Sequence, residues 1–399
     1  MNELLTAENL DYRDRAREVA EKFVRPLAAE LDREARYPWE IIEKLKEYRL
    51  MGEWIPKEYG GGQGGVLNLC LIVEELSRAC GGVGVAYAVN ALGSFPIIFG
   101  GTEEQKSRWL PDIATGKRLI SFGLSEPTAG SDAASLKTRA EKRGDCYVLN
   151  GDKKWNTNGG AAEIYTIFCV TDPERGTRGI SAIIAEKGSP GFEIGRKEDL
   201  MGIRCVSVHN LHFRDCSIPA ANLLGGKEGI GFALAMQTLD NARPGVAAQA
   251  VGLAQGALDL ALEYARGREQ FGQPIVSFQG LQFMLADMAT QVEAARQLVY
   301  YSARLLDAGA KNVTKVAAMA KVFATDTAMK VTTDAVQLFG GYGYCRDYPI
   351  EKYMRDAKIT QIYEGTNQIQ RLVIARNLIK ESASMEPKLV EKREPTTVG

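Results

Sequence analysis

The chain has 399 residues, with 49 Lys and Arg against 50 Asp and Glu, for a net charge of −1. That length exceeds one ordinary core, so two or three domains are expected. The near-neutral balance argues against a nucleic-acid or membrane electrostatic footprint, and a 45% hydrophobic and 25% charged composition is ordinary for a globular protein.

The opening stretch, MNELLTAENLDYRDRAREVAEK, is charged from the start and has no apolar signal region, so a cytoplasmic protein is expected. Residues 1–118 read as a helical domain: DYRDRAREVAEKFVRPLAAELDREA and PWEIIEKLKEYRL space their apolar residues by three and four. PKEYGGGQGG is a loop by composition. The uncharged window 80–102 is long enough for a membrane span, but Asn90, Ser94, Pro96 and its glycines favour a buried helix.

From 119 to 226 the pattern changes to short strands. CYVLNGDKKW predicts a strand ending in a hairpin turn at Asn150-Gly151. IYTIFCVT, GISAIIAEK, GFEIGRK and HNLHFRD follow, which suggests a small antiparallel barrel or sandwich. From 227 to 384 long helices return; Val251, Ala254, Leu258, Ala261 and Ala265 share one broad face. Residues 385–399 read as a polar tail. The class is α+β, in the order helices, strands, helices.

Seven cysteines, at 70, 80, 146, 169, 205, 216 and 345, include no C-x-x-C pair, so they read as reduced thiols used as small apolar residues. The two histidines, His209 and His212, stand three apart on a predicted strand, point to opposite faces and cannot share a metal; no metal site is expected. So few histidines also weigh against a Ser-His or Cys-His nucleophile. Chemistry here would fall to a carboxylate or a cofactor. GIGFAL at 229–234 and GGYGY at 340–344 look like dinucleotide or phosphate loops but lack a βαβ context.

One carboxylate stands out. In QIYEGTNQIQR (361–371), Glu364 sits between Tyr363 and Gly365 in a turn joining two helical segments. It reads either as a solvated turn residue or as a general base.

Seven blocks in order, LSEPTAGSD (124–132), NGDKKWNTNGG (150–160), MGIRC (201–205), DNARPG (240–245), REQFGQPI (268–275), QLFGGYGY (337–344) and IYEGTNQIQR (362–371), resemble the acyl-CoA dehydrogenase family. The likeness runs from about residue 5 to 380 and is closest to the short- and medium-chain members. It implies an N-terminal helical domain, a middle antiparallel β-barrel domain and a C-terminal four-helix bundle. It implies FAD as cofactor, an acyl-CoA substrate, a homotetramer built as a dimer of dimers, and an electron-transferring flavoprotein as acceptor.

The resemblance makes Glu364 the base that takes the α-proton while a β-hydride passes to flavin N5, giving a 2-enoyl-CoA. Burial beside an acyl chain would raise such a carboxylate toward operating pH. The thioester oxygen would take bonds from the Glu364 N–H and a ribityl hydroxyl. For FAD, the matching positions are Phe122, Leu124, Ser125, Gly130, Ser131, Trp155, Thr157, Thr366 and Gln368. Arg268, Gln270, Phe271, Phe278, Gln279, Gln337, Gly340 and Gly341 match residues reaching a neighbouring subunit's FAD. For the CoA thioester the matches are Ser131, Asp240, Arg243, Tyr363, Glu364, Gly365 and Arg376; Arg243 reads equally as a structural arginine paired with Asp240.

Tyr87, Ala88, Asn90 and Phe95 are expected to line or floor the acyl pocket. Two aromatics there would suit a short or medium, branched, cyclic or aromatic acyl group. Because 80–102 carries no charge, a terminal carboxylate on the substrate is not expected. The family pattern has a base elsewhere in isovaleryl members, where this chain has Ala242. Asn156 replaces the usual Ile between Trp155 and Thr157, and Val206, Ser207 and Val208 replace a Ser/Thr-rich stretch. A flavin oxidase or monooxygenase, an enoyl-CoA reductase and a non-catalytic acyl-CoA-binding subunit are the other readings.

Overall fold

A computed structural model describes residues 4–383; the tail expected over 385–399 lies outside the described residues. The first helix, α1 (Ala7–Val19), starts at a capping box, with the Thr6 hydroxyl accepting from the Asn9 N–H and Asn9 Oδ1 accepting from the Thr6 N–H. A π-helical turn leads into α2 (Arg25–Glu34), whose Pro26 falls in the first turn, where a missing N–H costs nothing. Then come α3 (Trp39–Glu47), α4 (Gly65–Ala79), α5 (Gly81–Gly100) and α6 (Glu103–Ala114).

The uncharged window forms α5. It and α7 (Gly231–Gly267) are long and apolar enough to cross a membrane, yet 78% of the apolar stretch in each is buried inside the protein. Asn90 explains how α5 tolerates a polar residue: its Nδ2 donates to the Ala86 and Tyr87 carbonyls, and its Oδ1 accepts the N–H of Ile120. The helix is thereby tied to the first strand.

Seven strands follow: β1 (Ile120–Gly123), β2 (Arg139–Arg143), β3 (Cys146–Asn156), β4 (Ile164–Val170), β5 (Ile180–Glu186), β6 (Phe192–Lys197) and β7 (His209–Pro219). They form a sheet ordered β1-β4-β2-β3-β7-β6, with β5 beside β4. The pairing is not wholly antiparallel, because β1 runs parallel to β4. The long connection between them carries β2 and β3, which gives the chain room to return in the same direction.

Asn150-Gly151 is not a hairpin turn; β3 runs straight through it with a bulge, and the reversal falls at Gly144-Asp145. Neighbours on both sides decide this. Asn150 exchanges bonds with Asp215 of β7 (3.1 and 2.9 Å), and a Cβ on Gly151 would lie 2.5 Å from Thr138 Oγ1. The dipeptide is used for close approach between strands rather than for a turn.

The remaining chain is α7, a two-residue-stranded hairpin (β8, Glu269–Gln270; β9, Gln273–Pro274), α8 (Gln279–Asp307), α9 (Thr314–Phe339), α10 (Ile350–Thr360) and α11 (Asn367–Ser382). Helix α7 is the hub, packing on α4, α5, α8, α9 and α10. Buried alanines on α7 (Ala247, Ala250, Ala254, Ala257) and α9 (Ala317, Ala320, Ala324, Ala328) make thin surfaces suited to close helix packing.

Helix α10 locks the three segments together. Arg355 grips the Asp32 carboxylate of α2 with two bonds (3.1 and 2.7 Å). Its neighbour Asp356 is fully buried, accepts the Ile203 N–H and pairs with Lys352, both at 2.5 Å. The charges of MRDAKIT (354–360) therefore serve an interior junction as well as the surface.

Candidate active site

Helix α10 ends at Thr360 and α11 starts at Asn367, with the Thr366 hydroxyl capping the Ile369 N–H at 3.3 Å. The link between them holds Glu364 at φ +53° and Gly365 at φ +93°. A non-glycine residue in the left-handed region costs about 1–3 kcal/mol and persists only where its surroundings impose it. Here the constraint is visible. Gln370 Nε2 donates to the carbonyls of Glu364 (3.2 Å) and Gly365 (3.1 Å), and Lys321 Nζ donates to the Gly365 carbonyl at 2.9 Å.

Glu364 Oε2 is buried and has no hydrogen-bond partner among the described residues, and the Glu364 N–H likewise has no acceptor there. Burial raises its carboxyl to about 7, against the pull of Arg243 and Lys321, which favour the ionised form. Both cations face a carboxylate they do not touch. Arg243 Nη1 instead pairs with Asp240 at 2.5 Å, and its buried Nε has no partner among the described residues. Asp240 also accepts from the Thr314 hydroxyl at 2.5 Å. The structural pairing of Arg243 and the availability of a free N–H on it hold together.

Tyr363 is tied back as well. Its hydroxyl donates to Gln249 Oε1, and Gln249 Nε2 donates to the Gly81 carbonyl at 3.0 Å. The base turn is thus linked through α7 to the first residue of α5.

A second group of predicted residues lines the edge of the sheet. The Lys154 N–H donates to the Ser125 carbonyl and the Ser121 hydroxyl to the Thr157 carbonyl, joining the end of β1 to the end of β3. Trp155 lies between, at φ +56° and 52% exposed, with the Lys154 ammonium 5.4 Å from its ring centre. Phe122 packs on Phe168 with ring centres 5.0 Å apart, Leu124 is buried, and Gly130 and Ser131 are exposed on the following loop. Asn156 turns the other way. It is 1% exposed, its Nδ2 donates to the His209 carbonyl at 3.0 Å, and it braces β3 against β7.

A third group surrounds a cavity of about 590 Å³, among whose lining residues are Arg268, Gln270, Phe271, Phe278, Gly340 and Gly341. Phe271 stands 92% exposed there at φ +54°, and the Arg268 guanidinium lies 5.4 Å over the Tyr342 ring. Gln279 and Gln337 are exposed, as are Gln368 and Arg376 on α11.

Tyr87 and Phe95 sit in the helical core. The Tyr87 hydroxyl donates to the Leu50 carbonyl at 2.7 Å and its ring meets Trp54 edge-on; Phe95 stacks on Phe99. Among the described residues no hydrogen bond or ring contact joins either to Glu364. The two histidines take separate partners, His209 at the Gly195 carbonyl and His212 at Asp152, and no metal-binding group of side chains is present among the described residues.

Family models for the N-terminal, middle and C-terminal domains of acyl-CoA dehydrogenases match residues 6–117, 121–216 and 229–379. The chain belongs to the acyl-CoA dehydrogenase family. It is an oxidoreductase, and the family is flavin-dependent. It is 49% identical over 377 residues to the short-chain specific acyl-CoA dehydrogenase of Clostridium acetobutylicum, covering 94% of this chain and 99% of that one. It is 48% identical over 378 residues to the acryloyl-CoA reductase (NADH) of Anaerotignum propionicum, covering 94% and 95%.

Among solved structures, butyryl-CoA dehydrogenase from Megasphaera elsdenii superposes with a TM-score of 0.92 at 46% identity over 95% of this chain and 100% of that one. A chain from a study of the electron-transferring flavoprotein of Acidaminococcus fermentans and flavin-based electron bifurcation gives 0.93 at 51% identity, with the same coverage.

Two side chains essential to this geometry escaped the sequence reading. Lys153 is fully buried on β3 and donates to the Leu124 carbonyl (3.0 Å) and to Glu126 (2.7 Å), fixing the strand exit beside Ser125. Lys321 is fully buried on α9. The signal for it was present: one lysine within AAMAKVFATDTA, a stretch whose other buried positions are only Ala and Thr.

Proposed function

We propose that this acyl-CoA dehydrogenase uses FAD and Glu364 to desaturate a short- to medium-chain acyl-CoA without a terminal carboxylate. The observation that carries the reading is Glu364: its backbone is held in the left-handed region, its Oε2 is buried and unpartnered among the described residues, and burial raises its carboxyl to about 7. A solvated turn carboxylate would show none of these. A base with a pKa near the working pH combines a sizeable ionised fraction with a strong pull on the proton, an effect of about 10² to 10⁴ in rate.

The side chains present fit a flavin. Trp155 offers a half-exposed aromatic face on a backbone held by its neighbours, with hydroxyls at Ser125 and Thr157 nearby. Gly130 has open space where a Cβ would be. When bound, FAD supplies the acceptor for the hydride leaving the β-carbon. The remaining chemistry belongs to the chain. Glu364 Oε2 takes the α-proton. The Glu364 N–H has no acceptor among the described residues and suits a donor to the thioester oxygen as charge develops there. Arg243, with its spare Nε–H, lends positive charge to the same region.

The 590 Å³ cavity and the protruding Phe271 support the proposal that this face meets another subunit of a homotetramer. The similarity to chains named for butyryl-CoA and short-chain substrates supports a short acyl group, and the relative from the electron-transferring flavoprotein study supports such a flavoprotein as electron acceptor. The similarity to an acryloyl-CoA reductase keeps the enoyl-to-acyl direction as the second reading.

An anaerobic titration of the flavin-loaded protein with straight, branched, cyclic and aromatic acyl-CoAs tests the proposal. Bleaching of the visible flavin band by near-stoichiometric butyryl-CoA is expected, with little oxygen uptake in air. Bleaching by none of them, with an enoyl-CoA oxidising the pre-reduced flavin instead, would establish the reductase direction.

A further inference from the structure

Lys321 is 0% exposed, on a face of α9 shared with Ala317, Ala318, Ala320, Ala324, Ala328 and the buried Thr325. A buried ammonium is costly unless its donors are used and its charge is answered. Its Nζ donates to the Gly365 carbonyl and to Asn367 Oδ1, both at 2.9 Å. Asn367 is fixed in turn, since its Nδ2 donates to the Thr325 hydroxyl and to Asp326 Oδ1, both at 2.8 Å. The bonds therefore fall on Gly365, which follows Glu364, and on Asn367, which starts α11.

The charged groups facing this point are Glu364 on the turn, Arg243 on α7 and Asp326 on α9. Burial lowers the Lys321 ammonium to about 7, with Glu364 pulling it up and Arg243 pushing it down. Glu364 feels the same two cations from the opposite side. The chemistry assigned to Glu364 and Arg243 makes no use of Lys321.

We infer that Lys321 is a positioning residue for the base. By holding the Gly365 carbonyl it keeps Glu364 in the left-handed turn, with carboxylate and N–H both turned to the thioester. By its charge it sets the pH at which the carboxylate is ready. No bond to Lys321 forms or breaks; the proton leaves the substrate α-carbon and stays on Glu364. The inference rests on Glu364 being the base.

The test separates the two readings by following a half-reaction that involves no hydride. A short 3-thia-acyl-CoA has sulfur at the β-position and cannot give up a hydride there. Exchange of its α-protons with D2O, read by proton NMR across a pH series, reports the base alone. Loss of exchange in Glu364→Gln is expected; exchange that survives overturns the base reading and this inference with it.

Lys321→Gln keeps a donor for the Gly365 carbonyl but removes the charge. Its acidic limb is expected to move up by about one pH unit, so exchange falls about fivefold at about pH 7 and about tenfold on the acidic side of the limb. Lys321→Met loses donor and charge and falls further. Lys321→Arg keeps both and holds the wild-type limb. Wild-type limbs in folded, flavin-loaded Gln and Met variants overturn the inference. If the Met variant does not fold, the contrast between Gln and Arg decides it.

Discussion

The side-chain amide of Gln370 sits where a side chain on Gly365 would have to go: a Cβ there would lie 2.4 Å from Gln370 Nε2. That amide is also what holds the Glu364 and Gly365 carbonyls. Glycine is thus required twice, for a φ of +93° and for the space its neighbour occupies.

Gly365→Ala should therefore displace Gln370 and release the turn. The strain alone is worth about 1–3 kcal/mol. Thermal unfolding should show that loss, and turnover should fall more than stability does, because Glu364 leaves its position. Unchanged turnover in the folded variant would show that the turn tolerates a different backbone.

Glu364→Gln should abolish turnover and, above neutral pH, stabilise the protein. The sign follows from the raised pKa. Between the ordinary value of 4.5 and about 7, the folded state holds a proton that the unfolded state has lost, so stability falls as pH rises through that window. The amide carries no such cost. The gain approaches about 3 kcal/mol at pH 8 and vanishes near pH 4. Melting curves at the two pH values check it; equal differences at both would mean that the carboxyl is not raised by burial.

Much of this was legible in the sequence. Apolar spacing located the helices, and motif order singled out Glu364, Trp155, Arg243 and the 268–279 and 337–341 blocks as candidates. Two kinds of information were not. Asn150-Gly151 carries a strong local turn preference, but bonds to Asp215 on the distant β7 and the approach of Thr138, just before β2, override it. Asn156 sits between two predicted cofactor residues, yet strand alternation turns it inward. The roles of the buried partners Lys153, Gln249, Lys321 and Gln370 depend on contacts across elements, so a motif or a lone lysine marks the position without giving its partner.

Tyr87 shows the consequence for substrate choice. Its hydroxyl is spent on the Leu50 carbonyl inside the helical core. Tyr87→Phe should cost about 1–2 kcal/mol, leaving that carbonyl without its donor, and should leave the preference among acyl-CoA chain lengths unchanged. Kinetics across a chain-length series would check this; a shifted optimum would return Tyr87 to the acyl pocket.

The last prediction concerns Lys153 and Glu126, paired at 2.7 Å with both side chains buried. Glu126 also accepts the N–H groups of Lys137 (2.6 Å) and Thr138 (3.0 Å), and Lys153 pulls its carboxyl below the ordinary value. The pair thus pins the 124–138 loop to β3 beside Trp155. Lys153→Met strands a buried carboxylate, at a cost of about 3–5 kcal/mol. Adding Glu126→Gln should recover part of it, since the amide oxygen still accepts from one backbone N–H without a charge to bury. Flavin content should follow the loop, falling in Lys153→Met and returning in the double variant. Full flavin retention in a clearly destabilised Lys153→Met would separate the pair from the cofactor and leave it a purely structural bond.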